Sequence, residues 1–145
     1  MRCATLLLFL SAIATLLCTI GGCGSSGPDL GEVTGTVTLD GKPLSNATLI
    51  FRSQAPNGTT SMGVTGPNGK YKLMFTADKT GAMLGKHDVE ITTRQLSETD
   101  VESLKAQGKT PPPFTPIPQK YKEPGTLLKD VVKGKNTIDF DLASK

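Results

Sequence analysis

The chain has 145 residues, with 16 Lys and Arg against 13 Asp and Glu, and a formal net charge of +3. Its charges are interspersed, which describes a solvated surface and excludes the lysine-rich block or basic helix of a nucleic-acid partner. Aromatic residues are 5% of the chain and Trp is absent, while 16 Gly and 10 Pro mark many turns between β-branched runs, a composition that favours a small β-sandwich.

All 3 cysteines fall at positions 3, 18 and 23. Residues 4 to 20, ATLLLFLSAIATLLCTI, are apolar and uncharged and follow Arg2. A basic start, an apolar stretch and small residues behind it describe a secretory signal peptide. The run is slightly shorter than the ~20 residues of a spanning helix, and the glycines at 21, 22 and 24 break it. The stretch Ile20-Gly21-Gly22-Cys23 resembles the lipobox of bacterial lipoproteins: an aliphatic residue, two small residues, then Cys. That resemblance implies cleavage between Gly22 and Cys23 and a diacylglyceryl thioether on Cys23, which anchors the chain to a membrane. Residues 1–22 are then the lipoprotein signal peptide, and 23–31 (CGSSGPDLG after Gly22) read as a flexible tether. Residues 32–143 are the folded domain. Cys3 and Cys18 leave with the signal peptide, so the domain is expected to hold together by its core without a disulfide.

In chain order, residues 32 to 39, EVTGTVTL, alternate Val33, Gly35, Val37 and Leu39 with polar partners, a strand with one buried face. Asp40-Gly41 marks a tight turn. Residues 47 to 53 predict a second strand and 61 to 65 a third. Gly66-Pro67-Asn68-Gly69 is a turn signal leading to a fourth at 70 to 76, with Tyr71, Leu73 and Phe75 on one face. Residues 86 to 94 predict a fifth, with His87, Val89 and Ile91 on one face.

The period then changes. Ser97 is placed to cap a helix over 97 to 107, with Asp100 as its capping-box partner, Gly108 as its stop, and Val101 and Leu104 on the inner face. Residues 109 to 124 hold six of the ten prolines, at 111, 112, 113, 116, 118 and 124, and read as extended polyproline-like chain. Two more strands are expected at 126 to 132 and 136 to 142, joined as a hairpin by Lys133-Gly134-Lys135. The expected fold is all-β: a seven-stranded sandwich with one short helix.

Two segments carry a second resemblance. Val33-Thr34-Gly35-Thr36-Val37, continuing through Asp40-Gly41-Lys42-Pro43-Leu44-Ser45-Asn46-Ala47, and Val64-Thr65-Gly66-Pro67-Asn68-Gly69-Lys70-Tyr71, are similar to the carboxypeptidase regulatory-like domain. The pattern of that family is V-x-G-x-V, then D-G-x-P-L-x-x-A, then T-D-x-x-G-x-Y/F. Gly66 departs from it where the family usually has Asp or Asn. The resemblance implies a transthyretin-like, Ig-like Greek-key sandwich and speaks to fold more than to activity.

The chemistry-bearing residues are sparse. His87 is the only histidine, and on a strand face with Val89 and Ile91 it reads as a packed residue. No nucleophile elbow is present, and no Cys or His cluster suggests a metal. Asp139 and Asp141 read as a solvated edge before they read as calcium ligands. No catalytic residue, cofactor or metal is therefore expected. Phe114 and Tyr121 are the candidate docking anchors of the proline-rich segment, whose plainer role is a strap across a sheet edge. The expected function is a non-enzymatic, lipid-anchored protein of the cell membrane or outer membrane. Its sandwich would face the periplasm or cell surface in a structural or partner-binding role toward an envelope protein or glycan. The alternative is a carbohydrate- or peptide-binding module that uses the sandwich loops and the proline-rich strap.

Overall fold

The computed structural model describes residues 27–145; Gly22, Cys23 and the rest of the lipobox lie outside the described residues. Ten strands, β1 (Leu30–Leu39), β2 (Lys42–Pro43), β3 (Ala47–Ser53), β4 (Thr60–Val64), β5 (Lys70–Lys72), β6 (Ala82–Met83), β7 (Gly85–Thr93), β8 (Leu127–Val131), β9 (Gly134–Thr137) and β10 (Phe140–Leu142), and one helix, α1 (Glu98–Ala106), build a β-sandwich. The seven expected strands are all present, but the fourth, expected over 70 to 76, ends at Lys72 and leaves Phe75 half-buried outside it. The last is split into β9 and β10, and two-residue strands β2 and β6 are added.

One sheet has the order β4-β3-β7-β8 and is antiparallel throughout. The other is organised around β1, which pairs antiparallel with β6, β5 and β2 and parallel with β9 and β10. Alternation in β1, β3 and β7 places Val33, Val37, Leu49, Phe51, Val89 and Ile91 in the core, each 0% exposed. Leu73, Tyr71, Phe140 and Leu142 complete it from the β1 sheet.

The turn residues act as their chemistry requires. Asp40 and Gly41 have φ of 49° and 75°, so the β1–β2 hairpin closes in two left-handed residues. Gly69, at φ 72°, would bring any Cβ against the Val37 carbonyl and Pro43.

The hairpin expected through Lys133-Gly134-Lys135 does not form. β8 pairs with β7 in one sheet and β9 with β1 in the other, so this loop crosses between sheets. The side chain of Asn136 supplies the bonds that a hairpin ladder would have made. Its Oδ1 accepts from the Val132 N–H (2.9 Å), and its Nδ2 donates to the carbonyls of Val132 (2.8 Å) and Glu32 (3.2 Å).

β9 and β10 keep one register along β1, from Gly31↔Gly134 to Leu39↔Leu142, and are interrupted at Ile138 and Asp139 opposite Gly35 and Thr36. There the Ile138 carbonyl turns over Gly35 and accepts the Tyr71 hydroxyl at 2.7 Å, while Asp139 Oδ1 takes the Thr36 N–H at 2.7 Å. A Cβ at Gly35 would collide with the Ile138 carbonyl. That close approach is why a glycine stands inside a ten-residue strand.

Helix α1 has the expected Ser97 cap with its Asp100 capping box. None of its residues is fully buried, and Val101 and Leu104 are only half-buried, so it rests on the sandwich as a surface element.

Gly35→Ala should destabilise the domain by about 2–3 kcal/mol, because the neighbour that must move is backbone rather than a side chain. Urea unfolding of the two proteins side by side reads this directly, and an unchanged midpoint would contradict the crossing geometry.

Candidate functional site

The ends of the sandwich differ. At the end where β1 finishes, the β2–β3 connection, the β4–β5 turn and the start of the proline-rich segment come together. They enclose a groove of about 540 Å³ lined by Pro43, Ser45, Asn46, Thr65, Gly66, Pro67 and Thr110 to Pro113. Its floor is fixed by the backbone. The Asn46 N–H donates to the Thr65 carbonyl (3.0 Å), and the Thr65 N–H to the Ala47 carbonyl (2.9 Å). The buried Thr65 hydroxyl accepts the Ala47 N–H at 2.8 Å. Asn46 takes φ 55°, a left-handed value that Asn tolerates better than most residues. Proline rings give the walls apolar character, and the hydroxyl and amide groups of Ser45, Asn46 and Thr110 offer hydrogen bonds. Such a groove is suited to binding an extended or ring-shaped ligand and contains no general base.

The strap leaves this groove and closes the same end of the sandwich. Ile117 and Tyr121 are 7% and 8% exposed and belong to the core. Residues Gln119–Lys122 form a 3-10 turn that drives Tyr121 inward. Its hydroxyl accepts the Ala143 N–H at 3.0 Å. The Gly125 N–H then donates to Asp88 Oδ1 at 2.7 Å as the chain enters β8. Of the two docking anchors expected from the sequence, Tyr121 is therefore a buried core residue. Phe114, 46% exposed, is the one that faces solvent. Ile117 was not singled out by sequence because proline neighbours hide any period. Asn136 was not either, since its role depends on a loop between sheets.

His87 is 1% exposed and packs its ring 5.9 Å from that of Phe51. Its Nδ1 lies 2.9 Å from the Gly85 carbonyl. Desolvation pushes it below its ordinary value of 6.5, against smaller opposing pulls from the Gly85 carbonyl and the Asp130 carboxylate. It is a neutral core residue at neutral pH. Burial, helped by Asp139, likewise pushes the Tyr71 phenol well above its usual range.

A second, shallower hollow of about 380 Å³ lies over the interrupted strand, lined by Thr34, Thr36, Lys70, Tyr71, Thr137 and Asp139. Asp139 bonds the Thr36 N–H, and Asp141 accepts the Thr38 hydroxyl at 2.7 Å, so both carboxylates tie the last strand to β1. Among the described residues no group of three or more His, Cys, Asp or Glu is placed to hold a metal ion.

Two outcomes follow from these placements. Tyr121→Ala should cost about 3–5 kcal/mol of stability, whereas Phe114→Ala should change it by under about 0.5 kcal/mol, both read by thermal unfolding. Stability should also fall as pH drops from about 7 toward 5.5. The unfolded His87 takes up a proton near its ordinary value while the folded one resists, so its contribution is complete above 6.5 and declines below it. His87→Leu should flatten the profile in that window, and an unchanged slope would assign the pH dependence elsewhere.

No protein-family model matches the chain, and no curated protein does. Among solved structures, the crystal structure of a DUF3823 family protein from Parabacteroides merdae is similar at 15% identity and a TM-score of 0.41, covering 80% of this chain and 47% of that one. The chain spans about half the length of that structure.

Proposed function

We propose that this chain is a lipid-anchored cell-envelope protein whose β-sandwich, of the carboxypeptidase regulatory-like type, has a non-enzymatic structural or partner-binding role. The observation that carries the reading is the stretch Ile20-Gly21-Gly22-Cys23 behind an apolar run, seven positions ahead of Leu30, where β1 begins. A diacylated cysteine meets the requirement of more than one acyl chain for stable anchoring. The family reading is supported by the places its motif residues occupy. Val33 and Val37 lie in the core, Gly35 at the crossing, Asp40-Gly41 in a left-handed turn, and Pro43 and Ala47 beside the groove. The non-enzymatic reading is supported by a single histidine that is buried against Phe51.

A second reading, a carbohydrate- or peptide-binding module, is favoured by the proline-walled groove and the exposed Phe114 beside it. A saturable hit on glycan or peptide arrays, weakened by Phe114→Ala, would select it.

The test of the leading reading is the intact mass of the membrane-fraction protein, wild type beside Cys23→Ala. A wild-type mass of residues 23–145 plus acyl chains, absent from the variant, is the expected result. An unacylated mass in the soluble fraction would replace the anchor with a secreted binding module.

A further inference from the structure

The end of the sandwich opposite the groove is the end at which the chain enters. Leu30 and Gly31 pair with Met83 and Ala82 on one side of β1, and Gly31 and Glu32 pair with Gly134 and Lys135 on the other. The loop before β9 is thus the immediate neighbour of the entering chain: a Cβ on Gly31 would touch the Val132 carbonyl. From Cys23 to Leu30 the chain spans at most about 25 Å. The ten residues of β1 set the groove about 30 Å further away. Whatever holds Cys23 is within reach of this loop and not of the groove.

The loop has the composition of a membrane contact. Val132 is 59% exposed at its tip, although the next apolar residue inward, Val131, is 1% exposed. Lys133 and Lys135 flank Gly134 and are exposed. Among the described residues neither makes an ion pair. Glu32, in register with Lys135, already bonds Lys72 at 2.8 Å. The loop is held in place by Asn136, whose side chain takes both the N–H and the carbonyl of Val132 and also bonds the Gly134 carbonyl. The neighbouring β3–β4 loop, residues 54 to 59, carries no charge. Lys79 and Lys86 lie toward the same end, as do Asp29, Asp78 and Asp130, so the end as a whole is only weakly basic. The contact belongs to the loop.

Resting on the lipid-anchor reading, we infer that Val132, Lys133 and Lys135 form a membrane-contact site: Val132 enters the headgroup layer of an anionic bilayer and the two lysines meet lipid phosphates. A lipid-held domain would otherwise rotate freely about its tether. This second point of attachment fixes its orientation, with the groove facing away from the bilayer. An apolar side chain combined with neighbouring cations is the combination that interfacial contacts use.

The test uses the full chain purified from membranes and returned to vesicles, with an environment-sensitive fluorophore on Val132→Cys or, as control, on Val64→Cys. Val64 is 57% exposed at the far end of β4. In vesicles containing phosphatidylglycerol, the label at 132 should shift to the blue and be quenched by brominated lipid, while the label at 64 stays aqueous. Lys133→Glu with Lys135→Glu should reduce the contacted fraction roughly tenfold, and phosphatidylcholine alone should do the same. A lipid-bearing chain whose label at 132 is as aqueous as that at 64 would overturn the site. Intact mass reports separately whether Cys23 is acylated. For an unacylated chain, the same vesicles are added from outside: a response at 132 rejects the anchor and upholds the contact, and no response rejects both.

Discussion

The fold depends on one close approach, that of the Ile138 carbonyl to Gly35. Among the described residues β1 pairs with five other strands, more than any other strand does, and it is covered on both edges. At its midpoint the strand beside it cannot continue its ladder. The bonds left over are taken by the Tyr71 hydroxyl and the Asp139 carboxylate, and no buried side-chain polar atom among the described residues lacks a partner. A side chain at position 35 would push the last strand outward, and Phe140 and Leu142, both in the core, belong to that strand. Tyr71, Asp139 and Gly35 are therefore one device. The depth of the tyrosine and the turned carbonyl follow from the missing Cβ.

The sandwich manages its margins without a covalent staple. On one side Met62 and Met74 exchange backbone bonds at 2.9 and 2.7 Å and stitch β4 to the opposite sheet. On the other, β8 is an edge strand, and Lys129 turns its ammonium over the Phe140 ring, 5.2 Å from the centroid. An inward-leaning charge on an edge strand discourages pairing with another chain. The proline-rich segment closes one end, using Ile117 and Tyr121 as plugs. A strap with six prolines in sixteen residues can cross the end of a sandwich because it does not need to pair.

The alternation of Val33, Val37, Leu49, Phe51, Val89 and Ile91 was readable because each half-buried strand repeats every two residues. Asp40-Gly41 and the Ser97–Asp100 box were readable because their bonds are local. The Lys133–Lys135 loop was misread as a hairpin because a glycine between two strand-like runs is the same signal whether the chain returns beside itself or crosses to the other sheet. Only the distant partner decides. Parallel pairing of β9 and β10 with β1 leaves no local trace for the same reason. Tyr121 looked like a surface anchor because the prolines around it remove the periodicity that marks a core position. Its burial comes from a 3-10 turn of four residues. The groove was only half legible: its turns were expected, but the strap's arrival against them was not.

The pairing of β1 also bears on how the chain reaches this state. Its first strand is completed by its last. Thr36 and Asp139 are 103 residues apart, as are Thr38 and Asp141. One edge of β1 stays open until β9 and β10 are available, and the loop entropy of that closure is spent before any of its contacts are gained. Folding is then slow and strongly all-or-none. Until β9 and β10 arrive, the edge of β1 that they cover stands open to a strand of another chain.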